Sequence, residues 1–267
     1  MTLAASPGED SDSHLLLLYR NQSDRQASVL PWVRRGLDRG EKIFYSTVPG
    51  DSAPMPGLMS HGDGVGRAVA DGQLVLVPLA ELFPGGRQPA LVRDALAEGY
   101  AGVRFSAHAN AALASVGERD YRAIDRLMDE LCASQPVSAL CQYDTTADTE
   151  PTLLTVVDSH PDAVRDQQMR LRRRGNGFVV AGEVDLGSAA VLARALQHSH
   201  QSDGSPNMVL DVSGLTFLDA TGCRALVAGT DRVRRDGGTV VVQKAQGQIR
   251  KVMVLMGMDR LPGVELR

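Results

Sequence analysis

Two groups of residues in this 267-residue chain carry chemistry beyond packing. The first centres on a hydroxyl. Thr221 stands between Ala220 and Gly222, two residues after Asp219, where an apolar stretch gives way to a helical pattern. Met208 to Val212 has the length and branching of a buried strand. Ser213-Gly214 breaks it, and Leu215, Phe217 and Leu218 are apolar again. From Cys223 to Arg235 the spacing predicts a helix, with Leu226, Val227 and Val233 on one side. The first N–H groups of a helix lack intrahelical partners and attract negative charge. A hydroxyl at that point either caps the helix or carries a phosphate. Cys223, beside the same helix start, is either a thiol of lowered pKa or a small core filler.

The second group lies at strand ends in the first half of the chain. Tyr19, Ser46, Thr47, Ser106, His108, Gln142, Tyr143 and Asp144 each sit at or near the end of an apolar run. In an open parallel sheet, ligands bind beyond the carboxyl ends of the strands. A small-molecule pocket is expected there. A nucleotide-hydrolysing site is not. A phosphate cradle needs a glycine-rich turn after a strand, then Lys and Ser or Thr. After the first strand stands Arg20-Asn-Gln-Ser-Asp-Arg25, which has no glycine. Gly62-Asp-Gly-Val-Gly66 follows Ser60-His61 rather than a strand and reads as a loop. Asp144 is placed to hold Mg²⁺, but there is no phosphate loop to go with it.

No metal or cofactor is expected. The six histidines show no ligand spacing, and each reads as a cap or a core hydrogen bond. His14 precedes its strand and so lies at the opposite sheet edge from His108. No activated nucleophile pattern is present, so the chain reads as a non-enzyme. An enzyme built on Ser106, His108 or Asp144 is the rival of that class.

These residues must be positioned by an alternation of strands and helices. Strands are predicted at 15–19, 42–48, 74–79, 103–108 and 137–144. Helices are predicted at 27–39, with Pro31 in the first turn, and at 65–70, 89–99, 120–133 and 152–159. Pro49 to Gly66 reads as a loop. Five strands alternating with helices imply a mostly parallel α/β sheet with right-handed crossovers. After Pro161 the rhythm changes. Strands at 167–174 and 178–184 flank Gly175-Asn-Gly177, a hairpin signal, and a helix at 187–200 follows. The second half is therefore an α/β domain with a mixed sheet. The expected division is a loose tail over 1–13, a first domain over 14–161 and a second over 162–267.

Charge is unevenly shared. Residues 1–162 hold 13 Lys and Arg against 22 Asp and Glu, a net −9. Residues 163–267 hold 15 against 10, a net +5. The positive charges of the second half are scattered, which argues against nucleic-acid binding. Cys132, Cys141 and Cys223 form no CxxC pair and read as free thiols of a reducing cytoplasm. No apolar run is long enough to span a membrane. Glycines and apolar strand edges leave room for a homodimer without specifying one.

The stretch around Thr221 resembles the STAS domain of anti-sigma-factor antagonists. Asp219-Ala-Thr-Gly222 fits that family's loop, with Ala220 in place of the usual first Ser. Phe178-Val-Val-Ala-Gly-Glu-Val-Asp185, Gly237-Gly-Thr-Val-Val-Val242 and the segment Ile249 to Asp259 fit its flanks in the right order. The resemblance covers roughly residues 163–267. It implies a partner, an anti-sigma factor or serine/threonine kinase of the partner-switching type. It implies phosphorylation at Thr221 and docking through Asp185, Asp219, Gly222, Cys223 and Arg224.

The first half resembles the MEDS sensory family. The carrying residues are His14-Leu-Leu-Leu-Leu-Tyr19, Gly36-Leu-Asp-Arg-Gly-Glu41, Gly99-Tyr-Ala-Gly-Val-Arg104, Leu140-Cys-Gln-Tyr-Asp144 and His160-Pro161. That resemblance implies a RecA-related fold and a sensor of small molecules. Together the two imply a sensory input joined to sigma-factor control. Two alternatives stay open: a scaffold subunit that is never phosphorylated, and a small-molecule sensor with no sigma-factor role.

Overall fold

The computed structural model describes residues 14–49, 64–83, 86–147, 150–160, 162–203 and 206–267. The tail over 1–13 and most of the loop after Pro49 lie outside the described residues. The chain divides into two units, one ending at Asp148 and one beginning at Thr149.

The first unit runs β1 (His14–Tyr19), α1 (Gln22–Asp38), β2 (Lys42–Thr47), α2 (Val65–Ala70), β3 (Leu74–Pro78), α3 (Leu79–Leu82), α4 (Gln88–Ala97), β4 (Val103–His108), α5 (Ala109–Ser134) and β5 (Val137–Asp144). Its strands lie in the order β1-β5-β4-β2-β3, and every pairing is parallel. Helices cover both faces, so apolar residues are needed on both sides of each strand. One core gathers Leu17, Trp32, Val33, Ile43, Tyr45 and Leu140. The other gathers Phe44, Leu82, Val92, Phe105, Met128 and Ala139.

Two motifs that are far apart in sequence meet here. Arg104 is wholly buried, lies 4.8 Å over the Trp32 ring, donates to the Trp32 carbonyl at 3.1 Å and is ion-paired with Glu41. A Cβ at Gly36 would stand 2.5 Å from Arg104 Cδ, so the helix must be bare at that point.

Two helices begin earlier than their apolar spacing suggests. In α1 the cap is Asn21, whose side chain accepts the Asp24 N–H at 3.0 Å. The first turn is polar, and Pro31 falls in the helix interior rather than the first turn. α5 starts at Ala109, directly after β4, and is interrupted at Gly117 (φ 78°, ψ 165°) before the predicted segment.

The second unit runs α6 (Glu150–Ser159), β6 (Ala163–Arg165), β7 (Met169–Arg174), β8 (Gly177–Val184), α7 (Ala189–Asp203), β9 (Met208–Leu218), α8 (Ala220–Gly229), α9 (Asp231–Arg235), β10 (Val240–Gln243), α10 (Gly247–Leu255) and β11 (Val264–Leu266). The order is β6-β7-β8-β9-β10-β11. β6, β7 and β8 are antiparallel neighbours, and β8 to β11 pair in parallel. The sheet is mixed, as expected. α6 is held to α7 by Asp158, which takes Arg194 at 2.5 and 2.7 Å and His198 Nε2 at 3.0 Å.

β9 departs from the sequence expectation. Ser213-Gly214 does not end the strand, which continues for 11 residues to Leu218. The register against β8 slips between Val179 and Ala181 and again between Gly182 and Glu183. Extra residues of β9 are absorbed as bulges. Gly214 allows this, since a Cβ there would lie 2.7 Å from Ala181 Cβ. The helix predicted over 223–235 is in fact two, parted at Thr230.

Candidate functional site

At the end of β9 the chain turns into α8 through Asp219. Asp219 is the helix cap: its backbone is extended, and Oδ1 accepts the Gly222 N–H at 2.7 Å. Thr221 is not the cap. Its hydroxyl lies within the first turn and accepts from Arg224 Nη2 at 3.0 Å. Thr221 is partly exposed, Arg224 exposed and Gly222 buried. Gly222 is required by close packing, because a Cβ would meet Val184 O and Leu218 Cδ1, each at 2.7 Å. The motif thus does three separate jobs. Asp219 starts the helix, Gly222 lets it sit against the sheet, and Thr221 is left at the surface.

The flanking residues share this sheet end. Asp219 N–H donates to Val184 O at 3.2 Å, which sets the ends of β8 and β9 side by side. Asp185 folds its own loop, accepting Gly187 N–H at 2.8 Å while its N–H donates to Ser188 Oγ at 3.2 Å. Next to it Leu186 is 77% exposed, and Phe217 on β9 is 46% exposed. Large apolar side chains in water beside a polar loop suit a docking surface. Cys223 is no reactive thiol. Burial, with Asp219 adding to it and Arg224 opposing, pushes it up to about 11. It also lines a groove of about 760 Å³ together with Arg194, Arg224, Arg232, Arg235 and Met256. That groove presents cationic groups beside the Thr221 turn.

In the first unit the strand-end residues form a buried hydrogen-bonded network organised by Arg25. Arg25 Nε donates to Gln142 Oε1 at 2.7 Å, and its Nη2 donates to Tyr45 Oη at 2.8 Å and meets His108 Nε2 at 3.0 Å. An arginine carries only donors, so His108 Nε2 is the acceptor. Gln142 Nε2 donates to Ser106 Oγ at 2.6 Å, and His108 N–H to Ser46 Oγ at 3.2 Å. The Arg25 guanidinium lies 5.6 Å over the Tyr19 ring.

The structure therefore brings Tyr19, Ser46, His108 and Gln142 together. Thr47 and Asp144 stand partly exposed at the rim. Asp144 accepts Thr146 N–H and Oγ–H at 2.8 and 2.7 Å, and its backbone is clasped by Asn110. Tyr143 is buried on the opposite sheet face from Gln142, as strand alternation requires. Sequence reasoning missed Arg25 and Tyr45. Arg25 lies in a polar helical turn that looks like a surface, and only the fold turns it inward.

Residues 13–161 match the family described as MEDS, the MEthanogen/methylotroph, DcmR Sensory domain, and residues 169–265 match the family described as Mlab, STAS domain. The class defined by fold and site is a sensory α/β domain followed by a STAS domain. The chain belongs to the MEDS family. Among solved structures it is similar to an RsbS variant from Moorella thermoacetica, at 22% identity and TM-score 0.30, covering 37% of this chain and 86% of that one. It is also similar to the flagellar accessory protein FlaH from Methanocaldococcus jannaschii, at 13% identity and TM-score 0.40, covering 62% and 75%. No curated protein matches the chain. No helix among the described residues is long and apolar enough to cross a membrane.

Proposed function

We propose that the STAS domain is a docking module for an anti-sigma factor or serine/threonine kinase, switched by phosphorylation at Thr221, and that the MEDS domain is its sensory input. In this reading the input domain spans 14–161, the output domain spans 162–267, and the protein acts in the cytoplasm on sigma-factor availability. One observation carries it: Asp219, not Thr221, caps α8, so the Thr221 hydroxyl has no structural duty at the helix start. Unmodified, the turn from Asp219 to Arg224 would dock the partner, with Asp185, Leu186 and Phe217 around it.

A phosphate on Thr221 brings about −1.5 to −2 charge at neutral pH. The helix N-terminus and the Arg224 guanidinium, already 3.0 Å from Oγ1, accommodate it within the folded domain. Beside Asp219, however, it places like charges in a surface that must be desolvated for docking. The result is a folded protein that no longer binds. The sensed ligand is placed at the carboxyl strand ends of the MEDS domain, with Thr47 and Asp144 at the entrance and the Arg25 network beneath.

Incubation of the full chain with the candidate kinase and ATP, followed by phosphopeptide mass spectrometry, tests the acceptor. Phosphate on Thr221, and its loss in Thr221→Ala, supports the switch. Efficient docking with no phosphate at Thr221 supports the scaffold alternative instead.

A further inference from the structure

On the face of the first sheet covered by α5, three potential metal ligands of the first unit converge from three elements. His14 opens β1, Cys141 lies in the neighbouring β5, and Asp125 lies on α5. All three are buried. His14 Nε2 is 3.4 Å from Cys141 Sγ and 3.9 Å from Asp125 Oδ1, and ligand atoms of the three lie within 4.8 Å of one another. The other ring nitrogen, His14 Nδ1, is 2.8 Å from Asp129 Oδ1, one helical turn beyond Asp125. Asp125 and Asp129 are four residues apart, so both reach the same histidine from one helix face.

A tetrahedral Zn²⁺ with bonds of about 2.0–2.3 Å sets its ligand atoms roughly 3.4–3.6 Å apart. The two His14 distances, 3.4 and 3.9 Å, stand close to that spacing. A metal-bound histidine ordinarily gives its second nitrogen to a carboxylate, which is the position Asp129 holds. Beside the cluster is a cavity of about 20 Å³, also lined by Phe83, Gln88, Phe105 and Met128. That is room for about one water molecule. Gln88 is buried, its Nε2 donates to Leu82 O at 2.9 Å, and its Oε1 has no donor among the described residues.

We infer that His14, Asp125 and Cys141 bind a borderline divalent transition-metal ion of the zinc class, with Asp129 as the positioning residue for His14. The mixed N, O and S donor set suits Zn²⁺ or Co²⁺ better than Mg²⁺ or Ca²⁺. This inference stands apart from the docking role of the second unit. The linear sequence gives no sign of it, because its ligands are 111 and 16 residues apart along the chain.

The test uses the full chain, stripped by chelator under reducing conditions and titrated with Co²⁺ alone. One Co²⁺ per chain is expected, with a thiolate-to-cobalt charge-transfer band in the near ultraviolet and tetrahedral d–d absorption in the visible. Cys141→Ser should abolish the charge-transfer band, while Cys132→Ser should keep it. Asp129→Asn should keep the spectrum but weaken Co²⁺ and Zn²⁺ binding about 10- to 100-fold, the usual effect of removing such a partner. Circular dichroism reports whether each variant is folded, and the wild-type titration stands without any variant. Wild-type protein that takes up no Co²⁺, or a spectrum unchanged by Cys141→Ser, overturns the inference. The cluster would then be a hydrogen-bonded ion pair only.

Discussion

Two polar centres of this protein are built in opposite ways. In the MEDS domain, Arg25, Tyr45, Ser106, His108 and Gln142 are buried and satisfy one another. In the STAS domain, Thr221 and Arg224 stand at the surface, held by a single hydrogen bond. Buried polar groups are costly to disturb, because a partner left alone keeps its desolvation penalty. A surface hydroxyl can be modified without unfolding anything. The first centre is therefore expected to respond by rearranging as a set, and the second by changing charge.

That contrast orders the expected effects of substitution. Arg25→Ala should be the most damaging, since it strips donors from Gln142, Tyr45 and His108 at once. A loss of about 3 kcal/mol or more is expected in urea unfolding of the MEDS-domain transition. A loss under about 1 kcal/mol would mean that the network is loose and wet. Gly222→Ala comes next, at about 1–3 kcal/mol from overpacking against Val184 and Leu218. Asp219→Ala should cost about 0.5–2 kcal/mol as a lost cap. Thr221→Ala should change stability by less than about 0.5 kcal/mol, as expected of a surface site free of structural duty. If the last two costs were reversed, Thr221 would be the structural residue and the contrast would fail.

A smaller effect concerns acid. Asp211 on β9 is buried, and burial by itself raises its pKa. Lys244, at 2.6 Å, and the Ser213 N–H, at 3.0 Å, outweigh this and hold the carboxyl below its usual range. A depressed folded-state pKa contributes stability that is present above the unfolded value, about 3.9, and is lost as pH falls through the folded value. The STAS-domain melting temperature should therefore fall on acidification below about pH 4, and less steeply in Lys244→Met. An equal slope in both proteins would remove Lys244 from the account.

The alternation of strands and helices was legible because each strand of the first sheet is an apolar run bounded by turn residues, as at Leu15 to Tyr19 and Val137 to Asp144. The Asp219 to Gly222 turn was legible because its residue types are local. What stayed hidden depends on contacts remote in sequence. Arg25 looks like a surface residue of a polar helical turn until Gln142, 117 positions later, comes to meet it. The cap falls on Asp219 and not on the Thr221 hydroxyl, because both residue types can accept an N–H and only backbone geometry decides between them. β6 is three residues long, too short to show periodicity. β9 ran past Ser213-Gly214 because a bulge absorbs a pair that would ordinarily end a strand.

The central claim is that charge at Thr221 controls docking. The most direct measurement is recovery of partners from the native cytoplasm with wild-type, Thr221→Ala and Thr221→Glu baits, quantified by mass spectrometry. The account predicts that a kinase-type anti-sigma factor is recovered equally by the first two and is depleted with Glu. Depletion need not be complete, because one carboxylate carries less charge than a phosphate. Equal recovery by all three baits would contradict the account and leave the STAS domain as a scaffold.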